Sequence, residues 1–106
     1  MSATYIVRAP SNGVHNGEQF SQKTANADLS STNWAASADG ADSTQYLCPR
    51  AFIPKADGIL VVTPLDGAAT NVYVLAGLIY PIAIKAITRT GTATALQIAD
   101  AVTLLY

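Results

Sequence analysis

Between Gly58 and Pro64 the chain reads GILVVTP, a β-branched run fenced at both ends by residues that interrupt regular structure. Val and Ile are stiff at the first side-chain torsion and pack well on a pleated surface, so a short run of this kind reads as a strand buried on both faces. The same punctuation recurs toward the C-terminus. QYLC is stopped by Pro49, and AFI by Pro54. Asp66-Gly67 turns the chain before NVYVLAG, and Gly91 turns it after PIAIKAITRT. Short strands at near-regular spacing, separated by Gly and Pro, restrict the fold to an all-β class, a small β-sandwich or a jelly-roll-like barrel.

Alternation assigns faces to these strands, because successive side chains on a strand point to opposite sides. In NVYVLAG, Val72 and Val74 share one face, and Tyr73 and Leu75 the other. In PIAIKAITRT, Ile82, Ile84, Ala86 and Thr88 share one face. Ala83, Lys85, Ile87 and Arg89 share the opposite one. Lys85 and Arg89 therefore read as two cations on an outer face, either solvated or bridging to acidic residues across a subunit contact. TYIVRA is a further strand near the N-terminus. ATALQIADA carries Ala93, Leu96 and Ala99 at helical spacing and reads as a helical turn. The closing AVTLLY is a strand with Val102, Leu104 and Tyr106 on one face.

Residues 11–44 look different. They are rich in Ser, Asn, Thr, Gly, Ala and Asp, they contain the turn dipeptides Asn12-Gly13, Asn16-Gly17 and Asp39-Gly40, and no period persists in them. The segment reads as a long irregular arm, which divides the chain into residues 1–44, an N-terminal strand and extended polar arm, and residues 45–106, a compact β-domain. A loop of this length without structure of its own is functional, disordered, or ordered by another chain. Phe20, Leu29 and Trp34 are its isolated large apolar groups. They are candidate anchors for a groove on a neighbouring subunit or on the chain's own core. Deleting residues 11–44 is therefore expected to leave a folded domain.

Charge narrows the function. Only 12% of the 106 residues are charged, against about 25% in an ordinary globular domain. Half are hydrophobic. No run approaches the ~18 apolar residues that a membrane-crossing helix needs, and MSATYIVRAP lacks the layout of a signal peptide. The expectation is a chain with no membrane segment whose surface is shared with partners. A net charge of −1 and the lack of a basic stripe argue against nucleic acid.

The inventory for chemistry is thin. His15 is the only histidine, in a turn-rich polar segment. Cys48 is the only cysteine and reads as a small buried apolar residue. Asp39 and Asp42 are close in sequence but lack the alternating oxygen ligands of a calcium loop, so they read as a solvated turn. No catalytic, cofactor-binding or metal-binding residue is assigned, and the chain is expected not to be an enzyme.

GILVVTPLDGAATNVYVLAG, then IYPIAIKAITRTGTAT, and the terminal TLLY together resemble small structural proteins of bacteriophage virions, of the head-decoration or spike-base kind. The resemblance covers residues 58–106. It rests on Val62, Thr63, Pro64 and Asp66 in the first turn, and on Tyr73, Val74 and Gly77 in the next strand. Pro81, Ile82, Lys85 and Thr90 to Thr94 carry the following block, and Leu105 and Tyr106 the end. It implies a β-rich homo-oligomer, with a trimer favoured, located in the virion after assembly in the host cytoplasm. The corresponding function is that of a capsid decoration or cement protein, which clamps neighbouring subunits of the major capsid protein or another virion protein. A tail, spike-base or adaptor component is the alternative within that class, and a small carbohydrate-binding module the alternative outside it. Lys85, Arg89, Leu105 and Tyr106 are the candidates for subunit contact. An apolar terminal strand is tolerable if it is paired inside a sheet or capped by a neighbour.

Overall fold

The computed structural model describes residues 4–7, 24–39 and 42–106. The chain is all-β. In order, the strands are β1 (Thr4–Ile6), β2 (Thr24–Ala27), β3 (Trp34–Ala35), β4 (Ser37–Asp39) and β5 (Asp42–Leu47). There follow β6 (Ala51–Pro54), β7 (Gly58–Pro64), β8 (Thr70–Val74), β9 (Ile84–Thr88) and β10 (Val102–Leu105). One 3-10 turn, Thr94–Leu96, lies where helical spacing was expected, and it buries Leu96.

The strands form three sheets, ordered β1-β5-β4, β2-β10-β6 and β3-β9-β7-β8. The core is sandwich-like. Phe52, Val102 and Leu104 from the β2-β10-β6 sheet pack in one buried cluster with Leu60, Val62, Val74, Ile84 and Ile87 from the four-stranded sheet. β10 is the central strand of its sheet, antiparallel to β2 on one side and β6 on the other. The apolar C-terminal strand is thus covered by pairing inside its own sheet. Leu105 stands opposite Thr24 and Ala51 and is half-buried. Tyr106, also half-buried, packs against the core.

Two expectations are corrected. Residues 24–39 do not belong to an arm outside the β-domain. β2 pairs with β10, β3 pairs with β9, and Leu29 is fully buried in the core. Polar composition concealed this because β2 (TANA) is, among the described residues, an edge strand whose other positions are partly or fully exposed, and only Ala27 of it is buried. The N-terminal part of the arm, residues 11–23 with His15 and Phe20, lies outside the described residues.

The second correction concerns β9. Strict alternation placed Ile84 and Ile87 on opposite faces, yet both are fully buried in one core. The β7–β9 register explains it. Thr63 opposes Ala86 while Pro64 opposes Ile84, so Lys85 is an extra residue, a β-bulge that shifts the facing by one position. Pro64 cannot donate to the ladder, and a bulge is where such a residue is tolerated.

Candidate interaction surface

The bulge also separates the two cations. Lys85 places Nζ 4.9 Å from the centroid of the Tyr5 ring. That ring meets Tyr46 edge-on, with centroids 5.3 Å apart. Arg89 turns the other way, and its Nε donates to the Leu29 carbonyl at 2.9 Å. The backbone N–H of Arg89 donates to Asn33 Oδ1 at 2.8 Å. Both cations therefore bind the chain's own atoms and do not form a shared outer face. Trp34 is half-buried against the core, opposite Ile87 across the β3–β9 ladder. Of the three anchors named from sequence, Leu29 and Trp34 thus fasten their segment to the chain's own core.

The surface that sequence reasoning missed lies on β8 and the turn after it. Among the described residues the exposed large hydrophobics are Tyr5, Ile59, Tyr73, Leu75, Leu78 and Ile79. Five of these six belong to β7, β8 and the following segment. Ile59 and Tyr73 are cross-strand partners and share a face, and Leu75 continues it by alternation. Tyr73 is 66% exposed and Ile79 60%. From Gly67 to Ile84 the sequence contains no Asp, Glu, Lys or Arg. That uncharged run was visible in the sequence, but its exposure was not.

The segment carrying these side chains is firmly held. Leu78 N–H donates to the Leu75 carbonyl at 3.3 Å, and Gly77 takes φ +81, the geometry of a type II turn. Asp57 Oδ1 accepts from Ala76 N–H at 2.7 Å. Gly77 N–H donates to the Pro54 carbonyl at 3.0 Å. The Tyr80 hydroxyl accepts from Leu75 N–H at 2.8 Å. Tyr80 is itself fixed, exchanging backbone hydrogen bonds with Phe52 and stacking on its ring at 5.5 Å. An open groove of about 400 Å³ runs beside the turn, lined by Ile53, Pro54, Lys55, Ala76, Gly77 and Thr103. Apolar side chains on a preorganised frame lose little conformational freedom when a partner covers them.

β8 is also the outer strand of its sheet among the described residues. Edge strands are usually blunted by charge, Pro or a covering element, and Thr70–Val74 carries neither charge nor Pro. The opposite situation holds at β6, whose outer side is bridged by Tyr80.

Titratable groups add little chemistry. Burial raises the Cys48 thiol above its ordinary value of 9.0. Burial likewise raises the Tyr106 phenol above 10.0. Hydrogen bonds from the Ser30 hydroxyl and N–H lower Asp28 below 3.8. Cys48 is fully buried, as its sequence context indicated, with Sγ 3.7 Å from the Tyr46 carbonyl. Among the described residues no three His, Cys, Asp or Glu side chains cluster to hold a metal ion. No helix among them is long and apolar enough to cross a membrane.

Comparison with protein families, with characterised proteins and with solved structures returns no match for this chain.

Proposed function

We propose that the chain is a non-enzymatic structural protein of a bacteriophage virion, an oligomeric capsid decoration or cement protein that stabilises the head by clamping neighbouring capsid subunits. The observation that carries this reading is the rigid, uncharged apolar band of Ile59, Tyr73, Leu75, Leu78 and Ile79. A band of this kind marks a site of protein contact. The low overall charge extends the argument to the rest of the surface. The resemblance of residues 58–106 to head-decoration and spike-base proteins supplies the class. The mechanism is mechanical: small contacts repeated about symmetry axes add up to an avidity that one contact lacks.

The test uses particles of the phage that encodes the chain, prepared with and without its gene. Quantitative mass spectrometry should find it in a copy number comparable to that of the major capsid protein. Particles lacking it should rupture at lower temperature. A copy number of a few per particle would move the protein to the tail or spike base. Its absence from purified particles would overturn the reading.

A further inference from the structure

Backbone direction along β8 can be read from its neighbours. On β7, the Ile59 carbonyl accepts from Ala93 N–H at 2.8 Å, and Val61 N–H donates to Thr92 Oγ1 at 3.1 Å. The Thr92 hydroxyl passes the bond on to the Thr88 carbonyl of β9 at 2.6 Å. The hydrogen-bonding groups of Ile59 and Val61 thus point toward β9 and away from β8. In an antiparallel ladder their partners across the strand pair, Tyr73 and Asn71, then direct their own N–H and C=O away from β7, toward the open edge. Leu75 N–H follows the same parity and is already taken by the Tyr80 hydroxyl. Among the described residues the edge therefore offers the backbone groups of Asn71 and Tyr73, and it is closed beyond them at Leu75.

We infer that β8 pairs antiparallel with β8 of a second copy of this chain, about a twofold axis through Val72. Only this register lets Asn71 face Tyr73 of the other copy twice, so that both pairs exchange their two backbone hydrogen bonds and the edge is satisfied. Identity of the two partners is a severe condition, because any charge near the axis meets its own copy. The run from Gly67 to Ile84 is free of charge and meets that condition. On the outward face Tyr73 would lie against Asn71 of the second copy, both side chains being exposed in the single chain. On the other face the two Val72 side chains would meet beside the core. The two four-stranded sheets would then join into one. This contact rests on the apolar band being covered by protein, and it is independent of where in a virion the protein sits.

The experiment is the solution mass of the full chain by light scattering over a concentration series. The wild type should reach twice the chain mass of 11.0 kDa. Asn71→Pro removes an outward N–H without touching the β7–β8 ladder, and it should weaken the dimer at least about tenfold while circular dichroism is retained. A second pair of variants keeps every N–H. Asn71→Lys with Tyr73→Lys on one chain, and Asn71→Glu with Tyr73→Glu on another, should each be monomeric alone and form a dimer when mixed. That rescue depends on residue 71 facing residue 73. A monomeric wild type, a folded Asn71→Pro that dimerises unchanged, or charge variants that fail to pair on mixing would each overturn the contact. A trimer of three times 11.0 kDa would also overturn it, while leaving the virion reading intact.

Discussion

β8 and β10 are two uncharged, apolar strands of nearly equal length, yet they occupy opposite positions in the molecule. β10 (VTLL) is flanked on both sides, and its Val102 and Leu104 are fully buried. β8 (TNVYV) is paired on one side, buries Val74, and exposes Tyr73. Their side-chain patterns differ little. What differs is the fate of the backbone groups. β10 spends both rows of N–H and C=O inside the sheet, whereas β8 leaves the groups of Asn71 and Tyr73 facing outward. An apolar strand is therefore a structural element when both edges are used and an adhesive one when a single edge is. A covered edge and an open edge coexist even around one turn, since Tyr80 closes β6 while the adjoining β8 has no second strand beside it among the described residues.

The largest effect that would break this comparison is deletion of residues 11–44. It removes β2, the neighbour of β10, together with β3 and the buried Leu29. The truncated chain should lose cooperative thermal unfolding, and a sharp melting transition in calorimetry would show that β10 does not depend on β2. Next come point changes in the two strands. Leu104→Ala should cost about 2–5 kcal/mol in urea unfolding. Tyr73→Ala should cost under about 1 kcal/mol in the monomer, because its side chain is exposed. Equal losses at the two positions would erase the distinction.

Gly58→Ala tests the frame beneath the band. Its Cβ would stand 2.6 Å from that of Ala93, and φ is +142. A loss of about 2–3 kcal/mol is expected. Gly77→Ala, with φ +81 but open space around it, should cost only about 1 kcal/mol. A larger penalty at Gly77 than at Gly58 would contradict the packing described.

The smallest effect is alkaline. Cys48 and Tyr106 hold their protons more tightly folded than unfolded, so their stabilising effect is complete below pH 9 and is lost as pH rises above 9.0 for the thiol and 10.0 for the phenol. The melting temperature should fall over that range, and Cys48→Ala should flatten the first part of the slope. An identical slope in wild type and variant would remove the thiol from the account.

Much of the fold was legible residue by residue. The Gly and Pro positions that bound β7, the turn at Asp66-Gly67, the faces of β8 and of β10, and the helical turn near Leu96 all follow from local rules. The bulge at Lys85 was not legible, because it arises from a register set jointly by β7 and β9. It sent Lys85 to Tyr5 and Arg89 to Leu29, where alternation had placed them side by side. The membership of residues 24–39 was hidden for a related reason, since a short polar edge strand takes its stability from a partner far along the chain. The candidate surface was half legible: the uncharged run from Gly67 to Ile84 stands in the sequence, but not its exposure.

The sequence by itself determined the all-β class, the positions of β6 to β10 and the apolar side of β8 and β10, because alternation and turn chemistry act between near neighbours. Tertiary structure alone decided which strand is central and which is an edge. Side-chain period reports burial of the two faces of a strand, whereas hydrogen bonding runs in the plane between them, and the partners that fill it are separated by tens of residues: Asn26 lies opposite Thr103, and Trp34 opposite Ile87.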